Sequence, residues 1–183
     1  MWRNTYSGWG LIHITVHWLS ALTVFGLFGL GVWMVTIDYY NEWYYVAPEV
    51  HKSIGILFAL LLVFRLIWRL TNPTPKSIES HSRNVRLMSH AAHIFLYMLM
   101  FVVVVSGYLI PTALGKGIPV FDWFTVPATI SGIEYQADIA GDYHRWFAWT
   151  LVILAAFHLL GAVKHHVFDK DTTLKRMLIP SKQ

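Results

Sequence analysis

The chain has 183 residues, of which 56% are hydrophobic and only 13% charged, and this is more apolar surface than one small soluble domain could bury. The absence of cysteine excludes disulfides, cysteine-ligated iron–sulfur clusters and c-type haem attachment. Although the formal net charge is +4, the basic residues lie between apolar runs and form no single patch, so nucleic acid is not an expected partner. Membrane lipid is the expected environment.

Four apolar segments follow one another, each at least as long as the roughly 20 residues that a helix needs to cross a bilayer. They cover about residues 10–37, 50–70, 87–111 and 141–167. The first segment is too long for the apolar region of a signal peptide, so we expect it to be retained. The sequence therefore predicts an all-α fold, an integral membrane four-helix bundle, in a single transmembrane domain over residues 1–183.

The basic residues indicate the orientation of these segments. Eleven of the 14 Lys and Arg residues lie before the first segment, near the end of the second or between it and the third, or near and after the end of the fourth. The opposite side has three basic residues, Lys52, Lys116 and Arg145, against seven of the 10 acidic ones. By the positive-inside rule both termini are cytoplasmic. The connection over residues 112–140 would then form an interfacial lid on the outer face.

Histidines occur at matched depths on three of the segments. His144 and His158 are 14 residues apart, which is about 3.9 turns and places both on one face of the fourth helix, separated by roughly 21 Å. Because neighbouring helices run in opposite directions, His51 is expected opposite His144 and His17 opposite His158. His13, one turn before His17, remains an alternative to it.

Paired imidazoles across a gap are the ligands that six-coordinate b-type haem requires. A lone intramembrane histidine more often packs against its neighbours or carries protons, but four at matched depths favour two haem b groups. A dinuclear metal centre is disfavoured because no intramembrane carboxylate accompanies the histidines. A histidine-lined transporter or metal permease is disfavoured because the segments also lack signs of broken helices.

Two basic residues directly follow the proposed outer ligands. Lys52 comes after His51 and Arg145 after His144. Their cations would neutralise haem propionates, or steer a small anion towards the outer haem as residues of a catalytic site.

Further candidates lie at the inner end. Arg65 and Arg69, one turn apart, would contact the inner haem propionates, although the ordinary interpretation is a positive-inside anchor. His165 follows His158 by two turns on nearly the same face and is the better candidate among the inner histidines for contact with a quinone headgroup.

Several motifs in this order carry a family resemblance. They are His17-Trp18, His51-Lys52-Ser53-x-Gly55, Arg65-x-x-x-Arg69 before Pro73-x-Pro75, His144 with His158, and the tail from Lys164 to Met177. Over essentially the whole chain the sequence resembles the prokaryotic cytochrome b561 family, most closely its YceJ-like branch, which is related to the superoxide oxidases.

The resemblance implies two bis-histidine b haems, electron exchange with the quinone pool and a multi-pass location in the bacterial inner membrane. One branch of the family oxidises superoxide on the periplasmic side and reduces ubiquinone. We therefore expect oxidation of a small donor such as superoxide with ubiquinone as acceptor. The alternative is an electron-transfer subunit that docks a periplasmic redox protein on its acidic outer loops.

Overall fold

The computed structural model describes residues 1–78 and 80–180, and within them four long helices dominate. These are α1 (Leu11–Met34), α2 (Trp43–Thr71), α3 (Arg83–Thr112) and α4 (Gln136–Val167), and a single turn, α5 (Thr173–Arg176), follows. The four long helices have the length and apolar composition to cross a membrane, so the predicted all-α, integral membrane four-helix class is confirmed. Lys182, one of the eleven basic residues assigned to the inner side, lies outside the described residues.

Side-chain caps explain where two of the helices begin. The Asn41 side-chain oxygen accepts a hydrogen bond from the Trp43 N–H at 2.9 Å, and the Ser82 hydroxyl accepts one from the Val85 N–H at 3.4 Å. Because Asn41 caps it, α2 begins well before the apolar run that predicted this segment. The helix continues through Pro48, which removes one backbone donor near its start.

The connection between α3 and α4 contains a short hairpin that the sequence did not predict. Strands β1 (Ile118–Val120) and β2 (Phe124–Val126) pair antiparallel, and the turn residues Phe121 and Asp122 have φ angles of 45° and 59°. Two successive left-handed residues give the twist that tight hairpins favour. The Ser53 hydroxyl holds the turn to α2, because it accepts a hydrogen bond from the Phe121 N–H at 3.2 Å.

The chain divides into two compact units. The first unit contains Met1–Ala21, Leu61–Tyr97 and the described part of Ile153–Gln183; the second contains Leu22–Leu60 and Met98–Val152. Only 6% of the most apolar window of α4 is buried, and the buried share of that window in the other three helices is 22% or less. Apolar side chains exposed in this way need lipid or a bound apolar group around them. The single-domain organisation and the orientation stay predictions.

Candidate functional site

In the second unit, His51 on α2 faces His144 on α4. Their ring centres are 6.1 Å apart and the ring planes are inclined at 79°. An ion bound by two imidazole nitrogens at about 2 Å each, with each ring centre about 1 Å further on, holds the ring centres roughly 6 Å apart. The spacing of these two rings therefore fits a shared iron.

Hydrogen bonding orients one ring of this pair. The Nδ1 atom of His144 lies 2.9 Å from the Val103 carbonyl oxygen, which accepts its proton and leaves Nε2 unprotonated for a metal. The Nδ1 atom of His51 is buried and has no hydrogen-bond partner among the described residues.

Two glycines allow the helices to approach these rings. A Cβ atom at Gly107 would lie 2.9 Å from Cε1 and 3.0 Å from Nδ1 of His144, and one at Gly31 would lie 3.3 Å from Cε1 of His51. A Cβ atom at Gly26 or Gly29 would meet nothing within 4 Å. Close approach to an imidazole therefore explains Gly31 and Gly107, whereas the other two glycines have no such contact.

In the first unit, three histidine rings meet. The ring centres of His17 and His158 are 6.4 Å apart, and those of His93 and His158 are 5.2 Å apart. The first distance fits an iron held between two imidazoles, whereas the second is about an ångström short of that geometry. His13 instead stacks on Trp9 with ring centres 3.9 Å apart. The geometry therefore favours His17 over both His13 and His93 as the partner of His158.

Arg65 contacts the proposed ligand His17 directly. Its Nη2 atom lies 3.0 Å from Nδ1 of His17, and its guanidinium lies 5.1 Å from the centre of the Tyr97 ring. Arginine only donates hydrogen bonds, so this contact requires an unprotonated Nδ1, whereas a neutral imidazole that ligates iron through Nε2 carries its proton on Nδ1. Iron binding by Nε2 would release the guanidinium for another acceptor such as a propionate. Arg69 stacks on the same Tyr97 ring at 5.6 Å.

The two basic residues beside the second-unit pair are both ion-paired. Lys52 Nζ lies 2.7 Å from Glu49, and Arg145 Nη2 lies 3.0 Å from Asp142. The Arg145 side chain is 66% exposed and that of Lys52 27% exposed. Each charge is therefore partly compensated by an acid one turn earlier, and exposed pairs of this kind are weak and easily rearranged.

His165 lies in a polar cluster of the first unit that the sequence did not predict. Its Nδ1 atom is 3.2 Å from Oδ2 of Asp171, and the same oxygen lies 2.7 Å from Nε2 of His81. Burial alone would raise the pKa of the Asp171 carboxyl, but hydrogen bonds from His81 and Thr173 outweigh this effect and lower the pKa to about 2. A quinone at His165, as predicted from the sequence, would have to contact the other edge of this ring.

Four apolar helices that carry facing imidazoles are typical of membrane b-type cytochromes. Residues 8–179 match the family described as prokaryotic cytochrome b561, and the chain belongs to this family. It is accordingly a haem b-binding electron-transfer protein of the bacterial inner membrane, and the predicted family is confirmed.

Three relatives show how close the similarity is. Cytochrome b561 homolog 2 of Escherichia coli (strain K12) is 53% identical over 96% of this chain and 93% of its own length. Probable superoxide oxidase CybB of Yersinia pestis is 26% identical over 91% of this chain and 93% of its own length. Cytochrome b561 homolog 1 of Escherichia coli (strain K12) is 24% identical over 90% of this chain and 93% of its own length.

Proposed function

We propose that this cytochrome holds two haem b groups, oxidises a small anionic donor such as superoxide on the periplasmic side, and reduces ubiquinone. The observation that carries the two-haem part is the spacing of two histidine pairs, 6.1 Å for His51 with His144 and 6.4 Å for His17 with His158. Both spacings agree with bis-imidazole ligation.

The chemistry balances without a further reactant. When bound, haem supplies a one-electron ferric–ferrous couple. Two superoxide anions lose one electron each and become dioxygen, and one ubiquinone gains both electrons with two protons and becomes ubiquinol. The similarity to a probable superoxide oxidase supports superoxide as the donor.

The residues of this chain have distinct roles in the proposal. His51 and His144 hold one haem and His17 and His158 the other, while Val103 fixes the protonation of the His144 ring. In the first unit, Arg65 and Arg69 bind haem propionates, and His165 contacts the quinone headgroup.

Lys52 and Arg145 attract the anion in this scheme. Both ion pairs are at least partly exposed, and an approaching anion would compete with Glu49 and Asp142 for the two cations.

The second candidate function is electron transfer from a docked periplasmic redox protein. The outer connections carry seven acids against three basic residues, and two of those three, Lys52 and Arg145, are already paired with acids. Such a surface is electrostatically complementary to a basic protein partner.

A superoxide pulse distinguishes the two candidates. The oxidised, haem-loaded protein in detergent is mixed with superoxide in the presence of ubiquinone, and haem reduction and ubiquinol are followed optically. We expect rapid haem reduction, and a rate lower by about tenfold or more in the Lys52→Ala, Arg145→Ala double variant. Lys116→Ala, which removes the third outer cation, is the matched control and should react like the wild type.

Two results would contradict the proposal. Wild-type protein with its full haem content that superoxide does not reduce would exclude superoxide as donor and favour the docking function. Equal rates in the double variant and in Lys116→Ala would leave superoxide as the donor but remove the steering role of Lys52 and Arg145.

A further inference from the structure

Three ligand atoms converge in the first unit outside the proposed haem sites. One nitrogen each from His81 and His165 and one oxygen from Asp171 all lie within 4.8 Å of one another. The two imidazole ring centres are 4.8 Å apart. His81 precedes α3 and Asp171 follows α4, so residues 90 positions apart in the sequence form this cluster.

Contacts around the cluster keep its ligand atoms together. After α4 the chain turns at Lys170, which has a φ of 53°, and the Asp171 N–H donates to the His165 carbonyl oxygen at 3.1 Å. The second carboxylate oxygen of Asp171 accepts the Thr173 N–H at 2.7 Å, so Oδ2 remains directed at the imidazoles. Further along, the Trp18 indole donates to the Met177 carbonyl oxygen at 2.6 Å. The ligands are therefore positioned by the backbone and by neighbouring side chains.

One atom of the cluster has no adequate partner among the described residues. Nδ1 of His165 is buried and lies 2.7 Å from Asp169 and 3.2 Å from Asp171, yet neither approach has the geometry of a hydrogen bond. The Asp171 side chain is only 7% exposed, and its Oδ2 atom is shared between two imidazoles. A single proton can be shared by only two of the three side chains His81, His165 and Asp171, whereas one metal cation would contact all three.

The chemistry of the ligands selects the class of cation. Two imidazole nitrogens and a carboxylate oxygen are typical of zinc and other divalent transition metals, whereas calcium and magnesium prefer oxygen ligands only. A tetrahedral ion at about 2.0–2.1 Å from each ligand needs ligand atoms roughly 3.3 Å apart. The three atoms lie within 4.8 Å of one another, so binding would require side-chain rotations that shorten the longer separations.

We propose that His81, His165 and Asp171 form a binding site for a divalent transition-metal ion of the zinc class, with Asp169 or water as the fourth ligand. The site contains none of the proposed haem ligands and shares only His165 with the proposed quinone contact, which would use the other edge of that ring. A bound ion would join the loop before α3 to the tail after α4.

Calorimetry with Zn²⁺ alone tests this site. Any affinity tag is first cleaved off, and the protein is treated with a chelator. The haem-loaded protein in detergent is then titrated with ZnCl₂. We expect one ion per chain, and an affinity about 10–100-fold lower or worse in His81→Ala and in Asp171→Asn. His90→Ala and His166→Ala remove exposed histidines outside the cluster and are the matched controls, which should keep the wild-type affinity.

X-ray absorption at the zinc edge checks the ligands independently. We expect a first shell of nitrogen and oxygen at about 2.0–2.1 Å with the outer scattering of two imidazoles, reduced to one imidazole in His81→Ala. Unchanged haem spectra and an unchanged melting temperature show that the zinc-free variants are folded. If His81→Ala is not folded, His81→Gln takes its place. Absence of binding by the wild type, or equal affinity in the cluster variants and the controls, would overturn the proposal.

Discussion

At the scale of single residues, the distances between imidazole rings decide which histidines are the better haem ligands. His93 is closer to His158 than His17 is, but its 5.2 Å spacing is too short for an ion between the rings, whereas 6.4 Å is adequate. Proximity alone would have selected His93. The spacing that a metal requires is the stronger criterion.

We expect alanine variants to separate the two proposed haem sites. His51→Ala and His144→Ala should each lose the same half of the haem, because a bis-imidazole site rarely retains its haem with one ligand removed. His17→Ala should lose the other half. The measurement is the ratio of haem to protein by the pyridine haemochrome assay, together with the reduced-minus-oxidised spectrum.

Three further variants control this prediction. His93→Ala and His13→Ala should keep the full haem content, as should His90→Ala at an exposed position. A loss of haem in His93→Ala together with full retention in His17→Ala would show that the first-unit pair has been assigned incorrectly.

At the scale of secondary structure elements, α3 determines the position of the His144 ring on α4. Gly107 leaves room for the imidazole, and the Val103 carbonyl, one turn earlier on α3, accepts its proton. The same stretch of helix therefore gives the ring its space and its protonation state. This relation is not visible in the sequence of α4 alone.

We expect Gly107→Ala to weaken the second-unit haem site specifically. The added Cβ would lie 2.9 Å from the His144 ring and displace it from the Val103 carbonyl. Loss of such a supporting contact typically lowers affinity about 10–100-fold. The affinity of the second-unit site is measured by titrating haem into protein that was expressed under haem limitation.

A glycine on α4 provides the comparison. A Cβ atom at Gly161 meets nothing within 4 Å, so Gly161→Ala should bind haem like the wild type. If Gly107→Ala behaved like Gly161→Ala, the close contact would have no role in positioning the ring.

At the scale of the whole molecule, charge is distributed unevenly along the chain. The predicted outer connections carry four more acids than basic residues, while eleven basic residues are assigned to the other side. The overall outer field would repel an anion such as superoxide, so any attraction must be local, at Lys52 and Arg145. The response to salt shows which effect dominates.

We expect salt to slow the reaction of the wild type with superoxide and to accelerate that of the Lys52→Ala, Arg145→Ala variant. Raising the ionic strength from about 0.01 M to about 0.15 M shortens the screening length from about 30 Å to about 8 Å. In the wild type this weakens the local attraction, whereas in the variant only the acidic repulsion remains to be screened. Stopped-flow rates at both ionic strengths measure the effect, and acceleration of the wild type would contradict local steering.

The pattern of apolar segments and histidines along the sequence was sufficient to predict the four long helices. It was also sufficient to propose the pairing of His51 with His144 and of His17 with His158. Bilayer thickness and helical rise convert sequence positions into depths, so residues at equal depth can be matched from their positions along the chain. The hairpin after α3 was missed because its strands have three residues each, too few to show a period.

The sequence by itself therefore determined the fold class and the membrane location, and it predicted which histidines lie at matching depths. Only the tertiary structure favoured His17 over His13 and His93, placed Arg65 against a ring nitrogen and brought His81 to Asp171. The physical reason is that depth is fixed by position along a helix, whereas ring spacing and hydrogen-bond direction depend on how helices and loops pack. Contacts between residues 90 positions apart leave no periodic signal in the chain.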